Sequence, residues 1–262
     1  THDTKRGEDH RMRISVLSEM PDLWQETARR WQQWNDRHKT RKGSMTLPDA
    51  HDEYLIYQTL LGTWPFDENP NGSYKDRLEQ YLIKAMREAK KFTSWLRVWE
   101  EYEKAAVAFL RAILDPKKDP RFLEDFRTFQ RRIAYYGILN SLSQTVLKMT
   151  CPGVPDLYWG TDLWDLSMVD PDNRRPVDFA LREKALEDIS QQLENDPETC
   201  IKNLLWNRSN GRVKLFLLHR LLRARQKQPD LFLQGNYRPL EVTGAEAGHL
   251  FAFRRDYKDR SM

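Results

Sequence analysis

Cysteine is nearly absent: of 262 residues only Cys151 and Cys200 carry a thiol. They form no CxxC and follow no recognisable signal peptide, so a disulfide framework is not expected and a reducing, cytoplasmic location is. Histidine is sparse as well, six residues with no pair at i, i+4, which leaves few ligands for a metal. No apolar run approaches the roughly 20 residues a membrane-spanning helix needs, and no bilayer partner is expected. Nor does one charge sign dominate, because 43 Lys and Arg face 39 Asp and Glu in interspersed order, for a net charge of +4. Nucleic-acid binding would need basic residues gathered on one face, so it is not expected. No internal repeat and no low-complexity tract is visible.

What the chain does have is aromatic side chains: nine Trp, ten Tyr and eleven Phe. Flat rings stack on the apolar faces of sugars or fill a core, and core filling is the expectation for most of them. The length suits one large domain or two small ones. The first residues, THDTKRGED, form a dense polar string without an initiator Met. A longer parent protein is expected.

Hydrophobic periodicity predicts a helical block. Leu23, Thr27, Trp31 and Trp34 share one stripe of a helix beginning at Pro21, followed by the polar break HKTRKGS. A second helix is predicted from Asp49, a suitable N-cap, to Leu61, with Gly62 and Pro65 as stop signals. The loop DENPNGS then precedes a third, whose stripe is Leu78, Tyr81, Leu82, Ala85, Met86, Ala89 and Phe92. A fourth covers residues 99–114 and a fifth runs from Phe122 through Phe126, Phe129, Ile133 and Tyr136 towards Leu147. Then the texture changes. CPGVPDLYWG reads as a turn leading into a short buried strand over residues 156–159, followed by the polar loop TDLWDLSMVDPDNRRP. Helices are predicted again over 179–193 and 213–225, and two strands over 237–242 and 249–254 open a small β element.

Two polar clusters carry candidate chemistry. One is THDTKRGED, most simply read as a solvated terminus; the other is DPDNRRPVD, residues 170–178, most simply a surface loop tied by its own ion pairs. Considered with the segment before the second cluster, they say more. The string PGVPDLYWGTDLWDLSMVDPDNRRPVD resembles the eighth-strand segment of α-amylase-type (β/α)8 glycosidases, where a PG-P-x-x-Y-x-G strand end precedes a D-P-D-N-R-R loop. His2-Asp3 resembles the His-Asp pair that closes strand seven in the same family. THDTKRGED, DEYLIYQTLLGTWP and the form GT-x-LWDLS-x-VDPDNRRPVD resemble, more narrowly, the maltooligosyl trehalose synthase family, which carries a helical insertion between strands seven and eight.

The resemblance implies a mainly α chain: the end of strand seven and its loop in 1–20, a helical insertion in 21–150, barrel strand eight with a substrate loop and helices in 151–230, and the start of a C-terminal β domain in 231–262. It implies a retaining transglucosylase that moves the reducing-end α-1,4 linkage of a maltooligosaccharide to an α,α-1,1 linkage through a covalent glycosyl-enzyme. In the family the nucleophile and general acid come from strands four and five, which would precede Thr1. The isolated chain is therefore expected to be inactive. Asp3 would stabilise the transition state by bridging hydroxyls of the cleaved sugar, with His2 on a neighbouring hydroxyl. Lys5 and Arg6 would hold carboxylates or contact the glucose that turns around. Asp170 and Arg174 would line the acceptor subsite, with Asp172 and Arg175 behind them. Tyr158, Trp159 and Trp164 are candidate walls, core packing being the alternative for each, and Asp162 stands where the family has Glu in GTEL. The implied partners are the α-1,4-glucan and the rest of the barrel; no organic cofactor and no metal is implied.

Two readings from other classes stay open on the residues alone. His51-Asp52 together with His2-Asp3 suggests a helical HD-type metal-dependent phosphohydrolase, which needs about four converging ligands. A non-catalytic helical interaction module is the other.

Overall fold

The computed structural model describes residues 6–68 and 70–262. His2, Asp3 and Lys5 lie outside the described residues. The chain divides into two units, one holding the residues up to Ser141 with Asp165–Pro176, the other Leu142–Trp164 with Val177–Met262.

The first unit contains helices α1 (Glu8–Ser15), α2 (Pro21–Asn35), α3 (Ala50–Thr63), α4 (Gly72–Ala89) and α5 (Glu100–Ile113), with the hairpin strands β1 (Thr40–Lys42) and β2 (Met45–Leu47) after α2. Helix α6 (Pro120–Thr150) contributes its residues through Ser141. Each start has a local cause. Pro21, whose missing N–H costs nothing in a first turn, opens α2. Asp49 and Asn71 accept hydrogen bonds from the backbone N–H groups of Asp52 and Tyr74 at 2.9 Å, capping α3 and α4. The Asp119 carboxylate receives the N–H of Phe122 at the start of α6. Glu100, Glu101 and Glu103 complement the positive end of the α5 dipole.

Trp31 is the hub of this unit's core. Its indole is fully buried and meets Tyr57 and Phe122 at 5.4 Å, Phe126 at 5.7 Å, and Trp24 and Phe129 at 5.8 Å between ring centroids. Its Nε1–H donates to Asp125 at 2.7 Å, so the ring's one polar atom is satisfied. Full burial of a large apolar side chain contributes about 1.5–3 kcal/mol each, which is why α2, α3 and α6 hold together. Core filling is the use made of these aromatics.

In the second unit α7 (Phe179–Asn195), α8 (Pro197–Trp206) and α9 (Arg212–Lys227) close around Ile189, Cys200, Leu204 and Val213. Asp178 and Asp196 cap the first two helices. A short α10 (Pro229–Gln234) leads into an antiparallel sheet in the order β3 (Asn236–Pro239), β4 (Phe253–Tyr257), β5 (Arg260–Ser261). Buried Arg255 of β4 donates to the carbonyls of Thr150, Phe232 and Gly235 at 2.8–3.1 Å, which ties the sheet to the carbonyl ends of α6 and α10.

Helix greatly exceeds strand, as expected, and the five helices read between residues 21 and 150 form within a few residues of their anticipated ends. Four differences stand out. Residues 156–159 are not a strand: they lie outside helix and sheet, because a ladder needs a neighbouring strand and none among the described residues pairs with them. The polar break after α2 is the β1–β2 hairpin, and the helices α1, α8 and α10 are additions. The terminal β element has three strands, and His249 sits in a 3-10 turn before the second of them. Gly62 does not stop α3, which continues to Thr63 with Trp64 as its C-cap.

Candidate functional site

From Arg6 onward the opening segment meets, within the first unit, the residues that lead into the DPDNRR loop. Arg6 forms an isolated antiparallel bridge with Met168. One residue further on, Gly7 N–H donates to the Ser167 carbonyl at 2.8 Å, and His10 N–H to the Asp165 carbonyl at 3.3 Å. Asp9, buried at the start of α1, accepts the N–H of Asp165 at 2.6 Å. A Cβ at position 7 would stand 2.6 Å from the Asp165 carboxylate, so the pairing requires glycine there. The terminus is therefore no solvated tail from Arg6 onward.

Two buried groups fix this junction. The His10 ring is fully buried, and since a carbonyl can only accept, its Nδ1–H donates to Ser167 O at 3.4 Å. Burial, reinforced by the nearby Arg6 charge, pushes its pKa down to about 3, so the imidazole is neutral. Arg13, three residues on, caps the carbonyl end of α3 by donating to Trp64 O at 2.6 Å, with its guanidinium 4.3 Å from the Phe66 ring centroid.

The loop beyond Met168 is anchored by its own apolar residues and by α4. Met168 and Val169 are buried in the core, which leaves Asp170 at the edge. Its main-chain oxygen accepts from Lys84 Nζ at 2.7 Å and its Oδ1 from the same ammonium at 3.0 Å. Arg174 stands 3.7 Å from the other carboxylate oxygen, with more than half of its side chain exposed. Asp172 is nearly buried and takes both prongs of Arg77, at 2.5 and 3.0 Å, plus the N–H of Met168 at 2.8 Å. Arg175 donates to the Asp172 carbonyl at 2.9 Å, and burial, with the neighbouring Arg77, holds its pKa below the usual guanidinium value. The loop is thus not an isolated surface turn.

Between α4 and the loop lies a cleft of about 180 Å³ bordered by Tyr81, Lys84, Asp170 and Arg175. Arg6 reaches the other way, to Gln58 Oε1 at 3.3 Å. A larger cleft, about 870 Å³, lies between α4 and α5 and contains none of the residues singled out from sequence. Its charged rim is mutually paired, Arg87 with Glu103 and Arg111 with Glu79.

Of the residues expected to carry function, the structure brings Arg6, Asp170, Asp172, Arg174 and Arg175 into one unit, while His2, Asp3 and Lys5 lie outside the described residues. The candidate walls belong to the second unit. There Trp159 is largely exposed, Tyr158 is half-buried, and Trp164 packs against the small core with its Nε1–H on Arg208 O at 2.9 Å. Asp162 pairs with Arg182 at 2.5 Å in the same unit. Sequence reasoning missed Arg77 and Lys84, whose only signal was two cations spaced two turns apart on one helix. His51 is exposed, and Asp52 accepts from the Tyr102 hydroxyl at 2.5 Å. Among the described residues no three His, Cys, Asp or Glu side chains gather as a metal site would require. No described helix is long and apolar enough to cross a membrane.

No profile of a known protein family matches the chain. Individual proteins do. A Mycobacterium tuberculosis protein described as a maltooligosyl trehalose synthase is 34% identical over 255 residues, covering 97% of this chain and 29% of that protein. A crystal structure of a maltooligosyl trehalose synthase superposes with a TM-score of 0.80 at 35% identity, over 97% of this chain and 32% of that one. The enzyme from Arthrobacter ramosus gives 0.77 at 33% identity, with 97% and 29% covered. The chain spans about three tenths of the length of these relatives. Sequence and fold together place this stretch in the maltooligosyl trehalose synthase family.

Proposed function

We propose that the chain supplies the acceptor side of the active site in an intramolecular transglucosylase that converts the reducing-end α-1,4 linkage of a maltooligosaccharide into an α,α-1,1 linkage. The observation that supports this best is the pairing of Arg6 with Met168. It brings the chain that follows His2-Asp3 alongside the loop of Asp170 and Arg174, as a barrel active site assembled from two strand ends requires.

The chemistry assigns roles. After cleavage the glucose must stay bound, present its anomeric hydroxyl in place of its 4-hydroxyl, and attack the glycosyl-enzyme before water does. Arg174, exposed at the rim of the loop, and Asp170 beside it hold that glucose. Asp3 and His2 act on the sugar that develops positive charge, and Lys5 and Arg6 hold carboxylates in position or contact the glucose that turns around. Asp172 and Arg175 stiffen the loop from behind. Nucleophile and general acid come from outside residues 1–262, so this stretch alone turns over no glucan. Residues 1–20 and 151–230 belong to the barrel, 21–150 to the helical insertion, and 231–262 to a further β domain. The reaction needs no organic cofactor or metal, and the enzyme works on cytoplasmic maltodextrin.

Product analysis on maltopentaose with the full-length enzyme tests the reading. Arg174→Ala is expected to raise free glucose relative to maltosyl-trehalose, because losing a bidentate guanidinium contact weakens the transfer step by about 2–4 kcal/mol. An unchanged product ratio overturns the acceptor-site assignment.

A further inference from the structure

We propose that Lys84 is a positioning residue for the acceptor side of the reaction: from α4 it fixes the backbone and carboxylate of Asp170, and with them the turn that presents Arg174 to the departing glucose. This rests on the acceptor-site reading of Asp170 and Arg174. What is added is the device that holds them.

The loop gathers its own hydrogen bonds at Asp172, which accepts from the Met168 N–H and from Arg175. Its only regular element is the single 3-10 turn Asp172–Arg174, and Pro171 and Pro176 have no N–H to offer a ladder. The ion pair inside the loop is loose, because Arg174 and Asp170 approach only to 3.7 Å, beyond hydrogen-bond length. Exposed pairs of that kind do not fix a side chain. By contrast Lys84 grips Asp170 at two atoms, the carbonyl oxygen at 2.7 Å and Oδ1 at 3.0 Å, which determines both the backbone position and the carboxylate orientation. With Oδ1 engaged, Oδ2 faces Arg174. Glu88, one turn along α4 in the direction away from Arg77 and its ion pairs with the loop, stands 3.8 Å from the same ammonium.

Arg77 sits seven residues before Lys84 on the same helix and grips Asp172 in the same manner. Two cations two turns apart thus hold alternate aspartates of one loop. Their surroundings divide the work. Asp172 is nearly buried and shares its carboxylate with the Met168 N–H, so the Arg77 pair belongs to the fold. Asp170 and Lys84 are partly exposed at the mouth of the small cleft, so that pair can be removed without opening the core. A helix outside the barrel segments thereby sets the geometry of a barrel loop.

The test uses the full-length enzyme on maltopentaose, measuring glucose, maltosyl-trehalose and thermal midpoint for Lys84→Met, Lys84→Arg, Arg174→Ala and the Lys84→Met/Arg174→Ala pair. Lys84→Met is expected to raise the hydrolysis-to-transfer ratio roughly ten-fold, since misplacement by about 1 Å suffices for such losses. The thermal midpoint should change by no more than about 3 °C, and Lys84→Arg should restore most of the ratio. The double variant should resemble Arg174→Ala alone, because both changes remove one function. If Arg174→Ala alters the ratio and Lys84→Met does not, the positioning role is overturned and the acceptor site stands. An additive double variant, or a Lys84→Met effect seen only with loss of folding, also overturns it. If Arg174→Ala itself has no effect, the acceptor reading falls and the positioning role falls with it.

Discussion

The His10 ring fills the space that a side chain at Gly62 would need: a Cβ at position 62 would stand 2.0 Å from Cδ2 of the ring. The glycine lies inside the last turn of α3, where alanine would ordinarily stabilise a helix by about 0.5–1 kcal/mol. Here the ring is fully buried, held to Ser167, and has nowhere to go. Gly62→Ala should therefore destabilise, by about 1–3 kcal/mol or more as overpacking does. In a His10→Ala background the same change should turn neutral or favourable, a reversal that thermal unfolding of the four variants would display.

His10 also makes stability depend on pH. Its folded pKa, about 3, lies below the ordinary 6.5, so below pH 6.5 the unfolded chain binds a proton that the folded chain refuses. The contribution is complete above 6.5 and declines on acidification towards 3, at up to about 1.4 kcal/mol per unit. Urea midpoints between pH 7 and 5, above the carboxylate range, should fall for the wild type. His10→Asn should lower stability at pH 7 but flatten that slope.

The Arg77–Asp172 pair should respond as a buried ion pair does. Arg77→Met leaves the Asp172 carboxylate in a nearly closed site with the Met168 N–H and Arg175 as its remaining partners among the described residues, and a loss of about 3–5 kcal/mol is expected. Arg77→Met/Asp172→Asn should recover part of it, because the uncompensated charge is gone. Denaturant unfolding reads both; a loss under 1 kcal/mol would mean that the loop is anchored elsewhere.

Catalysis should separate Asp3 from the loop. On the proposed role of Asp3 at the developing charge, Asp3→Asn in the full-length enzyme should lower kcat by at least about 10³-fold while glucan binding changes little. Steady-state kinetics beside equilibrium binding of maltopentaose distinguishes this from a binding defect, which would raise KM at unchanged kcat.

The helices were legible because burial repeats every three to four residues: Leu78, Tyr81, Leu82 and Met86 announce one face of α4, and Asp49 and Asn71 mark caps through purely local hydrogen bonds. So was the relationship, read from THDTKRGED and DPDNRRP, and a relative is 34% identical over 97% of the chain. Residues 156–159 misled because strand character resides in the partner as much as in the segment. Gly62 misled because glycine serves turns and close approaches alike. By itself the sequence determined its helical class and its family, both encoded in local pattern and motif. Only the tertiary structure decided that Arg6 faces Met168 and that Lys84 and Arg77 hold Asp170 and Asp172, since contacts across 86 to 162 positions depend on how α1, α4 and the loop pack, which no local period records.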